Sequence, residues 1–212
     1  MIGIFFQSLL IGYSGAVMPG PLLTYNINQS IRVGVRSGLL LITGHALLEL
    51  VTITLLIFGL GAFLSTEISQ IVIGLAGGTV LILFGALMVK DVIQGKAKLD
   101  MPKEGTSKSG SLVFNGIVIS AMNPYFLIWW TVVGLGLMTA ANKAYGLIGI
   151  AVFFAGHMLA DFSWYVLISF LASRTRTILN AKAYRVIVVV LALVLVGFGV
   201  SFLLNAGAKL SA

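Results

Sequence analysis

Cysteine is absent from this 212-residue chain, which excludes disulfides, thiolate metal sites and thiol redox chemistry in one step. Charge is scarce too. Only 9% of residues are charged and 59% are hydrophobic, whereas a soluble domain carries roughly a quarter charged residues. Water is therefore not the main solvent. The start, Met1-Ile2-Gly3-Ile4, lacks a basic region and runs straight into an apolar stretch, so a retained helix is expected there rather than a cleaved signal peptide.

What the chain does have is long apolar runs. A bilayer-spanning helix uses about 20 residues. Residues 2–27, 37–63, 69–89, 111–138, 144–172 and 184–206 are each long enough to cross with some tilt. Together they consume most of the length, so the expectation is an all-α integral membrane protein of six transmembrane helices, one membrane domain over 1–212.

The net charge of +7 does not point to nucleic acid, because the Lys and Arg residues sit in connecting loops rather than on one basic face. Arg32 and Arg36 fall in the first connection, Lys90, Lys96, Lys98, Lys103 and Lys108 in the third, and Arg174, Arg176, Lys182 and Arg185 in the fifth. Lys143 and Lys209 alone fall on the other side. Eleven against two is a strong positive-inside bias, which places loops 28–36, 90–110 and 173–183 in the cytoplasm and both termini outside a cell membrane. The Lys-, Gly- and Ser-rich 90–110 stretch reads as a linker between a first three-helix repeat, 1–89, and a second, 111–212.

Each half opens with a span interrupted by proline, Met18-Pro19-Gly20-Pro21 in one and Met122-Asn123-Pro124 in the other. Proline inside a membrane helix frees backbone groups. The next span carries Gly44-His45-Ala46-Leu47-Leu48-Glu49 or Gly156-His157-Met158-Leu159-Ala160-Asp161, and the third spans share Phe84-Gly85 and Phe198-Gly199. From motif glycine to Phe-Gly glycine the separation is 41 residues in one half and 43 in the other. From proline to motif it is 23 (Pro21 to Gly44) and 32 (Pro124 to Gly156), a nine-residue insertion that longer fourth and fifth spans would absorb. Three spans is an odd number, so the second half enters from the opposite face. A 3+3 inverted-topology repeat of the kind used by secondary transporters is expected.

His45 and His157 are the only histidines, and Glu49 and Asp161 the only acidic residues inside the predicted spans. At i and i+4 each histidine shares a helix face with its carboxylate. Ionisable groups at that depth cost several kcal/mol unless they face a cavity or a partner. All four are therefore expected to meet at the interface of the halves. A plain reading is that each pair only pins helices together; the functional reading is a site, because hydrocarbon disfavours the charged forms and brings both group types toward proton exchange near neutral pH. Glu49 and Asp161 are the proton-coupling candidates. Pro19, Gly20, Pro21, Asn123 and Pro124, with His45 and His157, are the substrate-binding candidates, since half-helix N-termini favour anions and freed carbonyls favour cations, a pairing that suits a zwitterion. Trp129, Trp130 and Trp164 could line a pocket, but aromatic residues in membrane proteins more often pack or anchor at interfaces, and that is the expectation here. Gly74, Gly77 and Gly78 are expected to allow close helix packing, and a Gly pair is too little for a phosphate loop.

With Met18-Pro19-Gly20-Pro21, the following Arg32-Val33-Gly34-Val35-Arg36-Ser37-Gly38-Leu39, and Asn123-Pro124 before Trp129-Trp130, the chain resembles the lysine exporter (LysE/RhtB) family of translocators over essentially its whole length. The resemblance implies export of amino acids or related metabolites across a cytoplasmic membrane, driven by a proton or cation gradient, often as a homodimer. Many members carry Asp directly after Pro-Gly-Pro, where this chain has Leu22, and the Gly-His-x-x-x-carboxylate motifs resemble a separate branch. The partners implied are a small-molecule substrate, protons and the bilayer; no cofactor is implied.

Two other readings compete. Two imidazoles and two carboxylates suit a divalent transition metal as cargo, with His45, Glu49, His157 and Asp161 as ligands. A membrane-embedded enzyme is the other, but no Ser or Cys nucleophile motif and no His-Glu-x-x-His is present. A purely structural scaffold would leave the duplicated buried carboxylates without a reason.

Overall fold

A computed structural model describes residues 1–17, 20–59, 66–95, 109–175 and 180–210, and every described element is helical. The elements are α1 (Ile2–Ala16), α2 (Pro21–Val33), α3 (Arg36–Ile57), α4 (Glu67–Ile93), α5 (Ser109–Ala121), α6 (Pro124–Trp129), a π-helical turn (Trp130–Gly134), α7 (Leu135–Thr175) and α8 (Ala181–Leu210). Four described helical segments are long and apolar enough to cross a membrane, five if the bent α1–α2 pair counts as one span.

The fold is apolar outside, and inside it holds polar and ionisable groups beside an apolar core. Ile2, Leu10, Leu83, Leu87, Leu193 and Leu204 are exposed. Asn26, Asn28, Ser30, Glu49, Ser120, His157, Asp161 and Ser169 are buried. A water-soluble core would reverse this pattern.

The first apolar run, expected as one span over 2–27, is two helices bent by 77°. Pro21 sits at the start of α2, where its missing N–H costs nothing. Pro124 occupies the same place in α6, after Asn123, whose side chain accepts from the Tyr125 N–H at 3.1 Å. Prolines at first helical positions give full breaks rather than kinks.

The connections are tighter than the sequence suggests. The turn expected over 28–36 is Gly34-Val35, with Gly34 at φ +89°. Helix α4 continues to Ile93 and α7 to Thr175, so the expected loops 90–110 and 173–183 begin later; 96–108 and 176–179 lie outside the described residues. Within α7, Tyr145 and Gly146 leave helical geometry, Gly146 at φ +60°, a value that favours glycine. A Cβ at Gly149 would collide with the carbonyl of Ala141. Eight residues of unbroken helix rise about 12 Å, so the chain turns back at 145–146 rather than in the 139–143 gap left between the expected spans. The proline-led helical stretch of the second half, 124–144, is longer than the 13 residues of Pro21–Val33 and holds most of the nine-residue insertion.

Three helix pairs dominate the packing, α4 on α8, α1 on α7 and α3 on α5. Glycine sets the closest approaches. Cβ atoms at Gly44 and Gly116 would strike the carbonyls of Val113 and Leu41, and one at Gly156 would lie 2.5 Å from the Phe5 carbonyl. Each motif glycine thus seats its helix on the opening helix of the other half. In the outer pair, a Cβ at Gly85 would lie 2.8 Å from the Ala192 carbonyl and one at Gly199 2.7 Å from the Gly78 carbonyl. Both comparisons, Gly85 with Gly199 and Gly78 with Ala192, are separated by the same 114 positions.

Candidate functional site

Helices α3 and α7 cross with their His-carboxylate faces opposed. His45 Nε2 lies 3.2 Å from Glu49 Oε1 and 3.7 Å from Asp161 Oδ2, while His157 Nε2 lies 3.0 Å from Glu49 Oε1 and 3.4 Å from Asp161 Oδ2. All four expected side chains therefore meet in one cluster, each histidine touching the other half's carboxylate as well as its own. Glu49 is 1% exposed, and His157 and Asp161 are 3% exposed, so water does not screen these interactions.

The two carboxylates are held differently. Glu49 Oε1 accepts from the Trp130 indole N–H at 3.1 Å and stands beside both imidazoles. Glu49 Oε2 is buried without a hydrogen-bond partner among the described residues, and Asp161 Oδ2 has only the longer imidazole contacts at 3.4 and 3.7 Å. A buried unpaired oxygen loses its hydration uncompensated unless it gains a proton or a ligand.

The histidines differ as well. Ser120 Oγ lies 2.7 Å from Nδ1 of His45, fixing that ring from behind. Nδ1 of His157 has no such partner; it faces Gly12, where a Cβ would lie 3.0 Å away. The two contacts occupy matching places. The Ser8 hydroxyl donates to the Phe153 carbonyl four positions before His157, as Gly116 packs on the Leu41 carbonyl four before His45. Aromatic rings hold His157 instead: Trp129 stacks on it at 4.7 Å between centroids, and Trp130 stands edge-on at 5.2 Å.

The cluster forms one wall of a cavity of about 300 Å³, small for a ligand site. Gly20 and Leu22, at the start of α2, line it together with Ser120, Asn123, Phe126 and Val133. Gly20 offers no side chain to cap α2, whereas Asn123 caps α6 with its own. An uncapped helix N-terminus favours an anion. Of the expected substrate-binding residues, Gly20, Asn123, His45 and His157 line the cavity; Pro21 is buried in the break beside it. Pro19 lies outside the described residues, as does the side chain of Pro124.

Trp129 and Trp130 line the cavity and pack as well, Trp130 being buried among Phe126, Met138 and Phe153. Trp164 is not a lining residue and packs on the main apolar core. The available signal was position: Trp129 and Trp130 follow the Pro124 break by little more than one turn. Ser120, one turn before that break, was missed too.

On the cytoplasmic side of the cluster in the expected orientation, Asn26, Ser30, Ser37 and Ser169 form a second buried network. Ser169 donates to Asn26 Oδ1 at 3.0 Å, and Ser30 stands 3.0 Å from Ser37. On the other side of the cluster the seal is apolar, built from Ile53, Leu56, Met138, Ile150 and Phe153.

An ionisable cluster beside a cavity, inside helices that are apolar outside, belongs to a membrane translocator. The model of the LysE type translocators matches residues 13–206, and the chain belongs to that family. It is 28% identical to the "Chemotactic transduction protein ChpE" of Pseudomonas aeruginosa over 77% of this chain and 79% of that one. It is 23% identical to the "Putative amino acid efflux protein YcgF" of Bacillus subtilis over 95% of both chains. No solved structure matches it.

Proposed function

We propose that this translocator is a proton-coupled exporter of zwitterionic amino acids or related small metabolites. In this reading it comprises six transmembrane helices in a 3+3 inverted repeat in the cytoplasmic membrane, with both termini outside and the 90–110 linker inside. The observation that carries the reading is the meeting of Glu49 and Asp161 with both histidines at the cavity wall, opposite the uncapped start of α2. A substrate carboxylate is stabilised at that helix N-terminus, and its ammonium group by the carboxylates. A proton and the ammonium group compete for the same acids, so protonation from outside releases the substrate and deprotonation toward the cytoplasm readies the site again. The YcgF name supports an amino-acid substrate. The six-span count is supported by the reversal at Tyr145-Gly146, which makes two passes of 124–144 and 147–175. The cytoplasmic assignment of loops 28–36, 90–110 and 173–183 rests on the positive-inside bias.

A divalent cation as cargo is the second reading, favoured by one observation. His45, Glu49 and Asp161 offer donor atoms all within 4.8 Å of one another. Donors on one tetrahedral zinc ion stand about 3.3–3.5 Å apart, so a small closure would form a site. The test is flux in proteoliposomes across amino acids and divalent metals, with and without a pH gradient. Amino-acid flux that rises with the gradient supports the first reading. Metal flux with no amino-acid flux reverses the order.

A further inference from the structure

Resting on the amino-acid reading, we propose that the substrates carry an uncharged, apolar side chain of the leucine or phenylalanine type, and that basic and acidic amino acids are rejected. The reason is a census of charge around the cavity. Among the described residues its lining contains no lysine or arginine, and its carboxylate and imidazole groups are those of His45, Glu49, His157 and Asp161. Their four histidine–carboxylate pairs, two within a helix and two between helices, lie 3.0–3.7 Å apart and act as one cluster.

A zwitterion brings one positive and one negative group, which the cluster and the uncapped start of α2 receive. A third charge has nowhere to go. The rest of the wall is mostly apolar, with Leu22, Phe126, Ile128, Val133, Trp129 and Trp130, and its polar members Ser120, Asn123, Tyr125 and Tyr165 are uncharged. An acidic side chain would meet no cation other than the imidazoles already engaged with the carboxylates. A basic one would need a second, separate acidic site, but Glu49 and Asp161 converge on the same two imidazoles and form one site rather than two. Placing a charge against apolar walls costs several kcal/mol, whereas an alkyl or aromatic side chain gains there by leaving water.

The experiment is counterflow in proteoliposomes of the full chain, using radiolabelled leucine, phenylalanine, lysine and glutamate at equal concentration. Leucine and phenylalanine are expected to move at least tenfold faster than lysine and glutamate. In Leu22→Asp and Val133→Asp, each checked for a monodisperse elution profile, the lysine deficit should shrink to less than threefold. The wild-type panel decides even if both variants misfold. Lysine or glutamate moving as fast as leucine overturns this inference and leaves the amino-acid reading standing. If none of the four moves, the amino-acid reading falls and takes the inference with it.

Discussion

Ser120 holds His45: its hydroxyl stands 2.7 Å from Nδ1 of the imidazole whose other nitrogen faces both carboxylates. The matching position behind His157 is Gly12, so the two rings are built alike and supported differently. The site is nearly symmetric in what it contains and asymmetric in how it is held.

Replacing Ser120 by alanine should therefore act on His45 alone. One buried hydrogen bond is worth about 1 kcal/mol, so Ser120→Ala should lower transport about fivefold and thermal stability only slightly. Flux and melting temperature measured on the same preparation check this, and a melting point that falls as steeply as activity would make Ser120 merely structural.

Trp130→Phe keeps an aromatic ring beside His157 but removes the N–H that Glu49 accepts at 3.1 Å. The expected result is at least a tenfold loss of transport in a chain that still elutes as a folded species. Trp129→Phe, which preserves the stack on His157 and removes no recorded hydrogen bond to the cluster, should cost far less.

Glycines divide by what lies opposite them. Gly44→Ala and Gly116→Ala would drive a methyl group into a backbone carbonyl on the facing helix, and each should lower folded yield sharply. Gly136→Ala meets nothing within 4 Å and should be neutral or stabilise by up to about 1 kcal/mol through helix propensity. Detergent melting curves of the three variants separate the two classes.

The absence of cysteine makes topology directly testable, because any introduced thiol is the only one. Lys143→Cys and Lys209→Cys should react with a membrane-impermeant maleimide on intact cells. Arg36→Cys and Lys182→Cys should react only after permeabilisation. The reverse pattern would invert the orientation.

Much of this architecture was legible in the sequence for a physical reason: in an apolar chain every charge is costly, so its position carries information. His45, Glu49, His157 and Asp161 stood out for that reason, and the arginines and lysines marked the turns. Less legible was which helix each motif would touch. Spacing gives the face of a helix but not its partner, so the seating of Gly44 on α5 and Gly156 on α1 had no signal of its own. The pocket role of Trp129 and Trp130 was not legible because an aromatic ring in a membrane helix gains equally from lipid, from packing and from a site. The turn at Tyr145-Gly146 lies just beyond the expected 139–143 gap, because Thr139, Asn142 and Lys143 continue the helix.

The central claim is that the cluster couples substrate movement to protons, and it is tested most directly by uphill amino-acid transport into or out of proteoliposomes under an imposed pH gradient, comparing the wild type with Glu49→Gln plus Asp161→Asn. The wild type should accumulate substrate against its gradient, and the double variant should lose that accumulation entirely while remaining folded. Unchanged gradient-driven accumulation in the double variant would contradict the account.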